Sequence, residues 1–484
     1  MATGNVSDQK EDFNQLFKRR FPQFLSTLAA SSGSFALGCS IGWSAPCVEH
    51  LMSDYGYDEF ATNVIASALP LGIALGLATL HFFVDSIGRK GTMLVSAPIS
   101  TIGWILVICM ISNEPVVLIG RLITGISGGI FCALTPMYCA EICEHHIRGT
   151  GTDEKSPSSL KAPLRCSPRS GALGMIPHLL LVTGILYGYC CGFTRSVIST
   201  SILCAITPIV SGIVVLLFLP ESPLYHLSKG MEEAARRDMR FLRGPDWDIE
   251  ADIQQDQVVE ASSQTVTLQT FLQKPTLRMI GLVFGMMSAL QFSGINVIIF
   301  YTETIFEEAG TGMDPKVQMV IFGVFQVIAC GLAALLIDKV LGRKILLMVS
   351  ASVIFICLLS LGSFFYLQKH SPEVTARLSW LPLTSACVFI MFFCFGTGPI
   401  PWTYMSEILP AHLKGVICSA VGCFSWTLSF VMTVSFSTMV HLVGIAGLMY
   451  FFAGAVVLSL FFVIFCVIEI KGKTHAEIQR AFGA

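Results

Sequence analysis

Asp85-Ser86-Ile87-Gly88-Arg89-Lys90 is written a second time, one residue longer, as Asp338-Lys339-Val340-Leu341-Gly342-Arg343-Lys344. Another pattern recurs at fixed spacing: Tyr138, Glu141 and Arg148-Gly149 match Tyr404, Glu407 and Lys414-Gly415. Each copy lies between long apolar runs. A polar loop repeated in this setting reads as two similar membrane halves in one chain. A machine that exposes a central path alternately to either side needs two such bodies rocking against each other. The repeat therefore predicts an all-α membrane protein with twelve transmembrane helices in two six-helix halves.

Composition points the same way. Of 484 residues, 53% are hydrophobic and 13% charged, against about a quarter charged in soluble domains. Mean hydropathy is +0.70. Twelve apolar windows recur, at 23–46, 61–83, 93–112, 115–140, 172–192, 196–219, 277–300, 317–337, 345–367, 380–405, 416–438 and 444–467. Each is long enough to cross a bilayer core of about 30 Å. Lys18-Arg19-Arg20 before the first window resembles a signal-peptide flank, but the run is long and eleven follow, so it reads as a retained helix. Net charge is −2, which gives nucleic acid nothing to recognise. The 17 cysteines fall mostly inside windows and none has ligand spacing with histidine. They read as small packing residues, with no metal and no cofactor. No nucleophile triad, phosphate loop or metal cluster suggests an enzyme.

Lysine and arginine fix the expected orientation. The 47–62 loop has neither, but carries Glu49, Asp54, Asp58 and Glu59. Basic residues gather instead at 10–20, 89–90, 148–169, 229–278, 339–344, 414 and 471–480. Both termini are therefore expected in the cytoplasm, with Asn5, the one Asn-x-Ser/Thr site, unglycosylated on that side. The chain divides into a polar tail (1–22), a first half (23–219), a cytoplasmic helical linker (220–275), a second half (276–468) and a polar tail (469–484). In the linker, Met231–Leu242 has an amphipathic pattern, with Ala235, Met239 and Leu242 on one face. Residues 150–171 interrupt the first half with three prolines, five serines and six charges. That composition predicts a disordered insertion. It is either a genuine splice or lineage-specific insertion or a short intron retained in frame.

The doubled Asp-to-Gly-Arg-Lys loops resemble the major facilitator superfamily. Five further stretches resemble its sugar-porter branch: Pro220-Glu221-Ser222-Pro223, Gln291-Phe292-Ser293-Gly294-Ile295-Asn296, Gly398-Pro399-Ile400-Pro401-Trp402, Lys471-Gly472-Lys473-Thr474, and the first span with Gly38, Gly42-Trp43 and Pro46. The first span is most similar to that of insect facilitated trehalose transporters. The resemblance covers nearly the whole chain except 1–20 and 150–171. It implies that Gln291, Asn296, Gln326 and Trp402 contact a sugar.

The chemistry agrees with that assignment. A sugar is a ring of hydroxyls, so its site needs neutral donors and acceptors plus an aromatic face. Buried amides also discriminate, because an analogue lacking a hydroxyl leaves them unpaired. Gln291 and Asn296, five residues apart, lie about 140° apart around a helix and can reach one cavity from neighbouring faces. Gly398-Pro399-Ile400-Pro401 beside Trp402 reads as a broken, flexible helix.

The doubled charges read as a latch of gating salt bridges. Arg89 and Lys90 face Glu141 and Arg148; Arg343 and Lys344 face Glu407; Asp85 and Asp338 open the two loops. Such pairs would join helix ends and hold the inner gate shut while the site faces outward.

Several positions depart from the family pattern. Leu290 replaces the first of two adjacent glutamines, His178 a glutamine in the fifth span, and Ser425-Trp426 an Asn-Trp pair. Leu224-Tyr225 replaces Arg-Trp. His178 is a candidate for a sugar hydroxyl, with mild acid sensitivity if it titrates near 6.5. Proton-coupled porters of this kind carry an Asp in the first span, where this chain has Ser40. With no acid from Phe24 to Pro46, the expected proton carrier is missing. The sequence thus reads as a facilitative sugar transporter in the plasma membrane, moving trehalose or a hexose by alternating access. Its partners would be a small-molecule sugar and membrane lipid, with no obligate protein partner. The alternatives are a carrier of another polyol or small neutral solute, or a non-transporting sugar sensor. Arg121, by resemblance, is structural.

Overall fold

The computed structural model describes residues 6–142, 168–243, 273–336, 342–471, 473 and 475–482. Among these the chain is helical, with no strand. Lipid offers no hydrogen-bond partners, so each spanning segment must satisfy its own backbone. Eleven helical runs are long and apolar enough to cross a membrane.

The first half comprises α1 (Val6–Gly42), α2 (Ser44–Tyr55), α3 (Glu59–Cys109), α4 (Glu114–Ile142), α5 (Pro168–Cys191) and α6 (Val197–Phe218). At 51 residues, α3 would be about 76 Å long, more than twice the bilayer core. It is broken at Gly88, where φ is 79°. The positive φ, which favours glycine, turns the chain back, so α3 supplies two spans and the eleven runs give twelve crossings. Residues 150–167 of the expected insertion lie outside the described residues. Pro168–Gly171 begin α5, ahead of the expected start at 172, in keeping with the preference for proline in a first turn.

Two short helices follow, α7 (Pro223–Ser228) and α8 (Glu232–Arg243). On α8, Ala235, Met239 and Leu242 are buried. His226 Nδ1 lies 2.9 Å from Asp238 Oδ2, tying α7 to α8. Gln23 Nε2 donates to Leu242 O at 3.2 Å, tying α8 to the first span.

The second half comprises α9 (Lys274–Gln291), α10 (Ile295–Phe300), α11 (Thr302–Glu308), α12 (Pro315–Leu336), α13 (Arg343–His370), α14 (Pro372–Arg377), α15 (Leu381–Phe395), α16 (Pro399–Ile408), α17 (Ala411–Val434) and α18 (Phe436–Cys466). A terminal helix, α19 (His475–Phe482), follows. Among the described residues three spans are divided into separate helices, and α18 contains a non-helical residue, Gly444, at φ 73°. The first span is divided at Trp43, between α1 and α2, although Trp43 itself keeps helical φ and ψ. The seventh breaks between α9 and α10, with Gly294 at φ 79°. The tenth breaks at Gly396–Gly398, between α15 and α16.

Close helix contact within the first half rests on glycine. A Cβ on Gly38 would lie 2.0 Å from Leu181 O, and one on Gly72 would lie 2.3 Å from Leu122 O. Small residues let membrane helices approach where no hydrophobic driving force does.

The halves meet along α3 against α17 and α5 against α12. Near the face that carries the Gly-Arg-Lys loops, His81 Nε2 lies 2.9 Å from Ser419 Oγ. Deeper, Cys423 Sγ donates to Ala74 O at 3.4 Å. At the far face, Glu59 accepts from Ser437 Oγ at 2.5 Å and lies 3.0 Å from His441 Nε2. Tyr189 OH donates to Ile299 O at 2.9 Å, also across the halves.

Candidate functional site

The break in the seventh span brings two of the sequence-selected amides together. Gln291 ends α9, and Asn296 lies in the first turn of α10. Asn296 Nδ2 donates to Gln291 Oε1 at 2.5 Å. Gln291 Nε2 donates to Ser425 Oγ on α17 at 2.8 Å. Ser425, which replaces the family amide, therefore holds the Gln291 carboxamide, and Gln291 and Ser425 are both buried.

Gln326 on α12 is also buried, at 4% exposure. Its Oε1 has no hydrogen-bond partner among the described residues. A buried acceptor left unpaired costs about 1–3 kcal/mol, so this oxygen is an unmet demand on α12. Trp402 on α16 is half-buried and packs on the large apolar cluster of the second half, as does Trp426. The Trp426 indole N–H lies beside the Cys132 thiol of α4, across the halves. His178, on α5, is half-buried; no hydrogen bond joins it to the amides among the described residues.

The repeated charge motifs form two matching clusters, one per half. In the first, Arg89 Nε donates to Glu141 Oε1 and Oε2 at 3.2 and 3.0 Å, and Arg89 Nη2 donates to Oε1 at 2.8 Å. Ser222 Oγ donates a further short hydrogen bond to Glu141. In the second, Arg343 Nη2 meets Glu407 Oε1 at 2.5 Å. The Arg89–Glu141 fork is the strong, geometry-specific kind, whereas Arg343 meets Glu407 through Nη2, its buried Nη1 having no hydrogen-bond partner among the described residues.

The lysines do not join the carboxylates, contrary to the latch drawn from the sequence. Lys90 Nζ donates to Leu216 O at 3.3 Å and Lys344 Nζ to Ile464 O at 2.7 Å. Each acceptor lies in the last turn of a span, where free carbonyls and the negative end of the helix dipole attract a cation. Asp85 is exposed and makes no hydrogen bond or ion pair among the described residues. Arg148 and Asp338 lie outside them. Each ion pair stays within one half.

Two carboxylates escaped the sequence reading. Glu221 accepts from the backbone N–H groups of Arg89 and Lys90, at 2.8 and 3.1 Å. Glu469 accepts from those of Arg343 and Lys344, each at 3.0 Å. Each caps the helix that starts at a Gly-Arg-Lys motif, satisfying otherwise free N–H groups with a full negative charge. Burial works to raise the Glu469 pKa, but backbone donors from Lys471, Lys344, Arg343 and Ile470 hold it below the usual carboxylate range. The recurring tyrosines fasten these caps. Tyr138 OH donates to Pro220 O and Tyr404 OH to Ile468 O, each at 2.9 Å. The signal was present in the sequence: Glu221 stands inside a quoted motif, and Tyr138 and Tyr404 are themselves repeated.

Arg121 is fully buried. Its Nη1 donates to Ser40 O at 3.0 Å and its Nη2 to Ser44 Oγ at 2.7 Å, and its guanidinium lies 4.5 Å from the Trp43 ring centroid. It ties α4 to the junction between α1 and α2. The Ser40 carbonyl belongs to the last turn of α1, whose dipole supplies part of the counter-charge.

The chain matches the model of a family described as sugar (and other) transporter over residues 26–153 and 166–482, skipping 154–165. It is similar to a facilitated trehalose transporter homologue of Drosophila simulans, 33% identical over 469 residues, covering 95% of this chain and 91% of that one. It is also similar to the facilitated trehalose transporter of Culex quinquefasciatus, 31% identical, covering 96% of this chain and 86% of that one. Among solved structures, the proton:xylose symporter XylE, of the major facilitator superfamily and bound to 6-bromo-6-deoxy-D-glucose, superposes with a TM-score of 0.73. Identity there is 23%, over 96% of this chain and 100% of that chain. That likeness shows a shared fold.

Proposed function

The chain belongs to the sugar (and other) transporter family, and from that premise we propose that it is a facilitative carrier moving trehalose or a hexose through the plasma membrane. It is a multi-pass membrane protein of the major facilitator fold, and its family and relatives are transporters, not enzymes. The observation that carries the reading is the bonded group of neutral polar side chains at the broken seventh span, Asn296, Gln291 and Ser425. In this reading the unpaired Gln326 oxygen on α12 joins them as an acceptor for a hydroxyl. Trp402, and His178 from the other half, complete the substrate contacts in this reading. Trehalose is favoured by the names of the two insect relatives.

The face with the Gly-Arg-Lys loops is cytoplasmic in this reading, with both termini, because lysine and arginine gather there. The far face is then extracellular, and in the present conformation polar contacts across the halves close it. The two charge clusters make each half's inner end rigid, so the halves move as bodies. Transport is uncoupled from protons: Ser40, beside Arg121, replaces the acid of proton-coupled relatives.

The test is uptake of labelled trehalose and glucose by cells lacking sugar carriers, with and without a proton gradient, for the full chain and for a form lacking 150–171. Saturable, gradient-independent uptake that Gln291→Ala abolishes is expected. No uptake of either sugar by folded surface protein refutes the assignment.

A further inference from the structure

At the far face, charged groups from both halves crowd one point. On the first half, α2 contributes Glu49, His50 and Asp54, with Cys47 one turn below and Arg195 in the turn after α5. On the second, α11 contributes Glu303 and Glu307, and α12 and the residue before it contribute Lys316 and Asp314. Lys316 Nζ lies 3.0 Å from His50 Nε2 and 3.8 Å from Glu303 Oε1. His50 Nδ1 lies 3.3 Å from Asp54 Oδ2. A lysine ammonium can only donate, so His50 accepts at Nε2 and is neutral, with its proton on Nδ1 directed to Asp54.

Two features show that this closed face has a place for a proton. Glu303 is only 3% exposed, and its Oε2 has no hydrogen-bond partner among the described residues. Burial and the like charge of Glu49 across the halves push the Glu307 carboxyl up, so acids from both halves meet beside Glu303.

We propose that Glu303, beside the Glu49 and Glu307 carboxylates, forms a proton-binding site between the halves, and that its proton holds the far face closed. The proposal rests on the alternating-access reading above. Opening separates α2 from α11, hydrates these carboxyls and returns them to ordinary carboxylate behaviour, so the proton leaves. It leaves to, and returns from, the same side of the membrane. The site therefore biases the gate without net proton transport, and uniport is retained.

The signs can be worked through. Burial, opposed by Lys316, raises Glu303 to about 7 in the closed state; in the open state it returns to about 4.3. Its contribution to closure is greatest in acid and is lost as pH rises through about 7. His50 acts the other way. It supports closure only while neutral, so acid below about 6.5 weakens the Lys316 contact. With one proton released and one taken up on opening, the two effects cancel below about 6.5. Closure should strengthen about twofold from pH 8 to 6.5 and then level off.

Hydrogen–deuterium exchange of residues 302–308, in the purified full chain in nanodiscs, reads this without any sugar. Protection, corrected for the intrinsic rate, reports the closed-to-open ratio. His50→Gln keeps an acceptor for Lys316 and a donor for Asp54 but does not titrate. It should convert the plateau into a rise of about 25-fold between pH 8 and 5.5. Glu303→Gln combined with Glu307→Gln should reverse the slope, so that acid weakens protection. Flat profiles in wild type and His50→Gln, or an acid-strengthened profile in the double glutamine variant, would overturn the proposal. A correct profile in a protein that moves no sugar would instead overturn the transport reading.

Discussion

Gln326→Leu separates a substrate-binding amide from a structural one, because the two roles predict opposite changes in stability. Gln326 is 4% exposed, and its Oε1 is unpaired among the described residues. An unpaired buried acceptor costs about 1–3 kcal/mol. Leucine is close in size and carries no polar atom, so it removes that cost and should stabilise the sugar-free protein by the same amount. The sugar complex loses the hydroxyl that would satisfy the oxygen. At 1.4 kcal/mol per tenfold, affinity should fall about 5- to 150-fold. Apparent melting of purified protein without sugar should therefore rise, while the added stabilisation by trehalose or glucose shrinks and the KM for uptake climbs. A variant that melts lower without sugar and transports with an unchanged KM would show that Gln326 is a helix-packing amide, and the reasoning would fail.

Other perturbations bear on the charge clusters and on coupling. Gly88→Ala adds the cost of a left-handed backbone, roughly 1–2 kcal/mol. Its Cβ would also sit 2.6 Å from Glu221 Oε2, so surface abundance and thermal stability should both fall; normal values would contradict the cap geometry. Glu221→Gln and Glu469→Gln weaken charge-assisted bonds to two helix N-termini and should each cost about 1–3 kcal/mol, a matched loss visible by thermal unfolding in the same buffer. Because Glu469 is held below the usual carboxylate range, its contribution is full above about 4.3 and is lost only as pH falls through the lower folded value. The Glu469→Gln deficit should accordingly be constant from pH 5 to 8. Ser40→Asp places a carboxylate on the residue whose carbonyl accepts from Arg121; uptake should then respond to a proton gradient, and continued indifference would remove Ser40 as the reason for uniport.

The spans were legible because apolar runs of bilayer length have few other uses, and the repeated loops gave the two halves. The Arg89–Glu141 and Arg343–Glu407 contacts were legible because both members recur at matched positions. The destinations of Lys90 and Lys344 were not, since they are backbone carbonyls, which any sequence supplies at every position. Glu221 and Glu469 were hidden for the same reason: their partners are N–H groups freed by the starts of two helices. Gln291 and Asn296 could be placed on neighbouring faces by counting, but the direct bond between them depends on Gly294 breaking the helix. The far-face cluster was seen only as a lack of lysine and arginine near Glu49 and Asp54. That Lys316, far away in sequence, would meet His50 needs the tertiary fold.

The placement of those breaks suggests how substrate and gate communicate. Asn296 and Glu303 lie on consecutive helices, α10 at the end of the seventh span and α11 just beyond it, separated by seven residues or about 10 Å. Tyr301, at the junction, is fastened to the second half by its OH to Thr433 O, 3.1 Å away, and by stacking on Phe436. Ser425, which holds Gln291, is on the same α17 as Thr433. The short segment thus has an amide pair at one end, a carboxylate cluster at the other and a fixed aromatic between them. A hydroxyl that pulls on Asn296 acts on the segment that leads to the far-face contacts, whereas the charge clusters at the opposite face are confined to single halves. Binding is therefore expected to act first on the far gate, with the inner end following as the halves turn.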